Sequence, residues 1–299
     1  MPYTNALSAL LVLLVAGAQG GPALGSAPHG PAVYFQAHRG GLREVPENTL
    51  AAYTYAWQLG GMPEIDMRTT KDGVIVCLHD DSLARTTDAD DAIKDLPVAQ
   101  LTYEQVRSCD SGVKFGPVFK GERVPALREV YAAMQGHPER QVYLDFKDAD
   151  LEQLADLIDA FDVENQIIFS HNNQDNCIRL RDLLGSIRTM LWIGGEPEEI
   201  KATFERVART GFEGLDQVQL HLHDEGPPGR IEYAIDADFL RGALAKTAAA
   251  GVDLEVLPFA FDAPSLRALL DLGIRWYATD EPRRFTQCVR QWRDAVPSG

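Results

Sequence analysis

Basic residues are scarce in this chain. Its 299 residues carry 28 Lys and Arg against 44 Asp and Glu, a net charge of −16. Phosphate backbones and anionic lipid surfaces are held by Lys and Arg, so this balance speaks against a nucleic-acid-binding protein and against a membrane coat. An anionic substrate would need a local cationic patch or a bound metal set against the overall field. Cysteine is rare too: Cys77, Cys109, Cys177 and Cys288 are all there is. Their spacing fits no zinc pattern; an oxidising compartment would permit three full pairings, with reduced buried thiols as the alternative. Long apolar runs are limited to residues 6–18, an uncharged stretch. That is shorter than the roughly 20 residues of a membrane span. Ala16-Gly17-Ala18 supplies the small residues a signal peptidase prefers, although no Lys or Arg precedes the run. We read residues 1–18 as a signal peptide, with an uncleaved anchor as the alternative, and the Gly-, Pro- and Ala-rich 19–32 as a flexible lead-in. The mature chain is then expected to be secreted or periplasmic, without stable membrane insertion.

What is present is a large apolar fraction, 45%, enough for a substantial core. Short β-branched runs recur at 33–38, 63–68, 74–79, 142–147, 167–171, 188–193, 213–220, 253–259 and 275–279. Between many of them lie stretches of helical spacing. In 49–59, Leu50, Tyr53 and Trp57 share a face and Gly60-Gly61 ends the helix; in 151–161, Leu151, Leu154, Ala155 and Ile158 line up. Such alternation is the mark of a parallel barrel or a doubly wound sheet. A (β/α)8 barrel needs eight staves, and the Asp72-Gly73 hairpin signal makes the third run an excursion from the second. The expected fold is therefore a TIM-type (β/α)8 barrel over 33–299, with a small insertion after the third run, about 80–123. The insertion carries a helix at 102–108 with Thr102 and Gln105 spaced as a capping box. Insertions of this kind often serve as lids or specificity elements.

Polar residues cluster at strand ends, which meet at one rim of such a barrel. His38 and Arg39 close the first run and His79 and Asp80 the third; Glu64 and Asp66, and then Asp145 and Lys147, are pairs two apart, each on one strand face. Three carboxylates brought together would repel one another unless a cation joined them, and oxygen donors select Mg²⁺ or Ca²⁺ over zinc. Two imidazoles suit acid–base work near neutral pH, and Arg39 and Lys147 would answer a phosphate's charge. Together these parts describe metal-assisted phosphodiester cleavage.

Motifs in order reinforce this reading: His38-Arg39-Gly40, Pro46-Glu47-Asn48-Thr49, Glu64-Ile65-Asp66, Thr70-Lys71-Asp72-Gly73, His79-Asp80, Arg85-Thr86-Thr87, Phe115, Gly121-Glu122, Val124-Pro125-Ala126-Leu127 and Glu129. This series, strong over 33–147 and thin beyond, closely resembles the glycerophosphodiester phosphodiesterase family. The resemblance implies a TIM-type barrel, a divalent cation, and hydrolysis of small glycerophosphodiesters to glycerol 3-phosphate and an alcohol. It implies His38 and His79 as the catalytic pair and Glu64, Asp66 and Asp145 as metal ligands, Asp145 standing where the family usually has Glu. It implies Arg39 as a phosphate contact, and Lys147, in its family position beside Asp145, as a second substrate-binding residue. The Pro-Glu-Asn-Thr segment reads as a helix start capped by Asn48 or Thr49, structural rather than catalytic.

The late strand departs from the family. Where a Trp-Thr-Val-Asn-like run is usual, the chain has Val256-Leu257-Pro258-Phe259-Ala260-Phe261, while Thr279-Asp280-Glu281-Pro282 is similar to the family's ending. Substrate choice is the property this touches. Two alternatives follow: a phospholipase D-like enzyme acting on lysolipids or sphingolipids, and a catalytically inactive extracellular binding protein. The Cys-rich loop of secreted sphingolipid-cleaving relatives is not found after His79. Of the remaining candidates, His221 and His223 read as a strand end meeting solvent, with metal binding as the alternative; His171 as a substrate contact or a helix-starting loop residue; Trp192 as core filling, with the pocket wall as the alternative; and Cys77 as a bystander beneath the site.

Overall fold

The computed structural model describes residues 32–295; the proposed signal peptide and all but the last residue of the lead-in lie outside them. Among the described residues nine strands form: β1 (Tyr34–Ala37), β2 (Met62–Thr69), β3 (Ile75–Cys77), β4 (Val142–Phe146), β5 (Ile167–His171), β6 (Arg188–Ile193), β7 (Gln217–Leu222), β8 (Asp253–Pro258) and β9 (Trp276–Thr279). Eight of them pair in parallel, and β1 bonds both β2 and β9, so the sheet closes into a barrel. The ninth, β3, runs antiparallel to β2, the excursion that Asp72-Gly73 announces.

The helices are α1 (Leu50–Gln58), α2 (Tyr103–Ser108), α3 (Leu127–Met134), α4 (Leu151–Phe161), α5 (Gln174–Leu183), α6 (Pro197–Arg209), α7 (Ala237–Ala250), α8 (Ala263–Asp271) and α9 (Pro282–Ala295). Strand alternation divides the buried residues into two sets. Outward positions such as Phe35, Ile65, Met67, Leu144, Val218, Leu220 and Val256 join the helices in the main apolar core. The alternate positions, among them Gln36, Glu64, Asp66, Tyr143, Gln219 and Glu255, are buried inside the barrel. None of the described helices is long and apolar enough to cross a membrane.

One strand boundary is corrected. β7 starts at Gln217 rather than 213, because Phe212 and Gly214 take φ of 58° and 71° and turn the chain first. All four cysteines are free thiols. The stretch 80–123 folds beside the barrel around its own apolar cluster, including Leu83, Val98, Leu101, Tyr103 and Val106, and contributes no residue to the lining of the cavity described below. Its helix α2 does carry the Thr102–Gln105 capping box.

Candidate active site

One cavity opens at the C-terminal rim of the barrel, lined by His38, Arg39, Glu64, His79, Asp145 and Lys147 among others. The chain reaches it from β1 by a tight turn in which Arg39 takes φ 51° and Gly40 φ 84°. A Cβ on Gly40 would lie 2.6 Å from that of Ala52, so only glycine lets this turn sit on α1. The turn aims the Arg39 amide at Glu64 Oε2, 2.7 Å away.

Each imidazole is held from behind by a carboxylate. His38 Nδ1 donates to Asp280 Oδ1 at 2.7 Å, and His79 Nδ1 to Asp80 Oδ1 at 2.8 Å. A carboxylate can only accept, so both rings carry their proton on Nδ1 and leave Nε2 for the cavity. The Asp80 support is itself tied. Arg85 donates to Asp80 Oδ2 from Nε at 2.7 Å and to Glu47 from both terminal nitrogens at 2.5 and 2.8 Å. Glu47 in turn accepts from Arg39 Nη1 at 3.1 Å.

Opposite lie Glu64, Asp66 and Asp145, all buried, each offering an oxygen within 4.8 Å of the others. Strand register puts Asp66 directly beside Asp145. Lys147 Nζ lies 3.1 Å from Asp66 Oδ1 and 2.6 Å from Asp145 Oδ2, and Trp192 Nε1 donates to Asp145 Oδ1 at 3.2 Å. Asn48 fixes Asp66 from below: its amide donates to Oδ2 at 2.7 Å, and its oxygen accepts from the Asp66 backbone at 3.1 Å. The helix cap is Thr49, which accepts from Ala52. Asn48 and Glu47 therefore serve the site as well as the helix start.

Burial raises Glu64, and the like charges of Asp66 and Asp145 add to it. Burial raises Asp145 as well, with Lys147 opposing and Asp66 adding. Asp66 is pushed up by burial too, but Lys147, Arg39, His79 and the Asn48 hydrogen bond together hold it below the usual carboxylate range. Oδ1 of Asp66 accepts no hydrogen bond. Three crowded carboxylates, one of them with an oxygen that has only the Lys147 ion pair, fit a hard divalent cation. Burial, joined by the charges of Arg39 and Lys147, lowers His79 against the opposing pull of Asp66 and Asp80.

Two residues read differently from the sequence. His221 is no solvent-facing strand end: it lines the cavity, its ring stacked on Trp192 at 5.4 Å and edge-on to Phe259 at 5.1 Å. Trp192 is likewise cavity wall rather than core filling, and Leu257 and Phe259 of the divergent late strand complete that wall. His223 is exposed, as its strand end suggests. His171 is half-buried at the end of β5, its Nδ1 accepting from the Asn173 amide at 2.8 Å. Cys77 is buried, and burial holds its thiol well above the ordinary range, which suits a core residue. Asp280 was within reach of sequence reasoning, since it lies in the Thr-Asp-Glu-Pro ending.

A closed (β/α)8 barrel with paired imidazoles, an acidic triplet and two cations on its C-terminal rim has the layout of a barrel hydrolase. The chain belongs to the glycerophosphoryl diester phosphodiesterase family, whose model matches residues 38–284. A glycerophosphodiester phosphodiesterase of Caldanaerobacter subterraneus is 37% identical over 144 residues, 46% of this chain and 57% of that protein. Glycerophosphodiester phosphodiesterase 1 of Rattus norvegicus is 38% identical over 130 residues, 37% of this chain and 38% of that protein. The matches thus span less than two thirds of these relatives' lengths. Among solved structures, a glycerophosphodiester phosphodiesterase from Agrobacterium tumefaciens shares the fold with a TM-score of 0.68 at 22% identity, covering 85% of this chain and 99% of that one. An Oleispira antarctica phosphodiesterase in complex with the product sn-glycerol-3-phosphate gives 0.64 at 22% identity, covering 86% and 96%.

Proposed function

We propose that the chain hydrolyses small glycerophosphodiesters to glycerol 3-phosphate and an alcohol. The observation that carries this is the pair of imidazoles, each pinned at Nδ1 by its own aspartate and facing one cavity shared with Arg39, Lys147, Glu64 and Asp145. Glu64, Asp66 and Asp145 would hold a divalent cation, Mg²⁺ or Ca²⁺, which when bound supplies Lewis-acid charge stabilisation to a phosphoryl oxygen. Arg39 and Lys147 add positive charge from the protein side and orient the phosphate. One Nε2 accepts the proton of the attacking oxygen as the new P–O bond forms. The other imidazole gives its Nε2 proton to the leaving alkoxide as the old P–O bond breaks. Asp280 and Asp80 stabilise the imidazolium forms and hold each ring in the required tautomer. One water is consumed overall, whether it attacks directly or opens a cyclic phosphate made first by the glycerol hydroxyl. The apolar, uncharged run at 6–18 with its Ala16-Gly17-Ala18 ending supports reading 1–18 as a signal peptide and the site of action as secreted or periplasmic.

The test is release of glycerol 3-phosphate from glycerophosphocholine by the purified chain with Mg²⁺, with Ca²⁺ and with EDTA, beside His38→Ala and His79→Ala. Cation-dependent release that disappears in both variants is the expected result. Release by a folded double variant would overturn the mechanism. Turnover confined to a lysolipid would move the assignment to the phospholipase D-like alternative.

A further inference from the structure

Beneath the cavity, inside the barrel, lies a carboxyl group that the proposed chemistry does not use. Glu255 on β8 is wholly buried, and its hydrogen-bond partners are all uncharged. Arg188 on β6 and Asp253 on its own strand act on it only at longer range. Its hydrogen bonds form a chain that ends at the cavity wall. Gln219 Nε2 uses both its protons, one to Gln36 Oε1 at 2.7 Å and one to Glu255 Oε1 at 2.9 Å. Gln219 Oε1 can then only accept, so the contact with His221 Nε2 at 3.2 Å requires the proton on that nitrogen. On the other side, Tyr143 Oη lies 2.8 Å from Gln217 Oε1 and 3.1 Å from Glu255 Oε2. Tyr143 has one proton; given to Gln217, it leaves Glu255 to donate its own.

We propose that Glu255 is a positioning residue: a buried, protonated acid that, through Gln219, fixes His221 as a neutral Nε2–H imidazole forming the aromatic wall against which the leaving alcohol is held. This rests on the hydrolase reading for its substrate, and for the ring on the hydrogen-bond geometry that puts the proton on Nε2 and the burial that keeps it neutral. Gly194 makes the placement possible, because a Cβ there would sit 2.5 Å from His221 Nδ1. Trp192 and Phe259 then clamp the ring in plane. The protonation states agree: burial pushes Glu255 up to about 8. Burial, with the positive charges of His38, His223 and Lys147, pushes His221 down to about 4. The wall is therefore uncharged at neutral pH, in contrast to the charged side of the cavity that faces the phosphate.

Two measurements on the full chain test this. In long-range ¹H–¹⁵N spectra of the histidine-labelled protein at pH 7, with the signal assigned by His221→Phe, His221 is expected as the neutral Nε2–H tautomer. An imidazolium or an Nδ1–H tautomer would overturn the proposal, whatever the enzyme does. In kinetics, Glu255→Gln keeps both hydrogen bonds and should match the wild type. Glu255→Met and Gln219→Leu should each raise KM for glycerophosphocholine about five- to tenfold, the scale of one lost hydrogen bond, with kcat within about twofold. The double variant should be no worse than either single one. A Glu255→Gln enzyme as impaired as the Glu255→Met enzyme, or additive losses in the double variant, would sink the positioning role. A wild type inert on every glycerophosphodiester would defeat the hydrolase reading and the alcohol-binding role with it, while the spectra would still judge the state of His221.

Discussion

Arg85 sits in the insertion, outside the cavity, yet its guanidinium bridges the two carboxylates that support the site. Asp80 holds His79 and Glu47 holds Arg39, and Arg85 binds both. Replacing Arg85 by Ala leaves these two acids facing each other without the charge between them. The acids would swing apart, carrying the His79 ring and the Arg39 fork out of alignment. Charged hydrogen bonds are worth about 1.5–3 kcal/mol each when buried. The Arg85 side chain is 46% exposed, so solvent screening reduces the total of its four contacts to roughly 1.5–3 kcal/mol. If that energy appears as lost alignment in the transition state, kcat should fall by about 10- to 100-fold, with KM changed little. Lys in its place carries the charge but cannot fork to both acids, so Arg85→Lys should fall between. The assay is steady-state hydrolysis of glycerophosphocholine at saturating cation, with the melting temperature as the folding control. Asp80→Asn should reproduce most of the kcat loss, and the pair should not be additive. A folded Arg85→Ala enzyme within twofold of the wild-type kcat would refute the reasoning and leave the insertion with no part in catalysis.

Two further outcomes concern the barrel interior. Saturating Mg²⁺ or Ca²⁺, at about 100 times its Kd, should stabilise the fold by about 2.7 kcal/mol, or roughly 5–10 °C in melting temperature; Asp66→Asn should abolish the shift, and no shift with either ion would mean the acidic triplet is not a cation site. Glu255, whose folded pKa is about 8, lies above its unfolded value near 4.3, so the folded state keeps a proton that the unfolded chain has released. Its stabilising contribution is complete below about pH 4 and is lost as pH rises to 8. Measured by urea unfolding, stability of the wild type relative to Glu255→Gln should fall by about 1.4 kcal/mol per pH unit between pH 5 and 7, and a flat difference would show that Glu255 ionises normally.

What was legible in the sequence follows from how a closed barrel buries its strands. Each stave is covered on both faces, so it shows as a compact apolar run whatever its neighbours, and the Asp-Gly hairpin identifies β3 as the one that does not belong to the ring. The pairs Glu64–Asp66 and Asp145–Lys147 were legible for the same reason: period two puts both members on one face, and adjacent strands then bring the pairs together. Residues whose role depends on closure were harder. His38 and Asp280 are 242 positions apart, and they meet because β9 returns to pair with β1. His221 illustrates the limit more sharply. A polar residue near a strand end fits the solvent-facing side or the inward rim equally well by polarity, and only its parity with Gln217 and Gln219 separates the two. Those glutamines could be assigned to the interior only once Glu255, embedded in an otherwise apolar run, supplied a buried partner. A lone acid in a stave is thus the more informative signal, since nothing but an inward hydrogen-bond partner can accommodate it. In this chain that partner leads, through one amide, to the wall of the cavity.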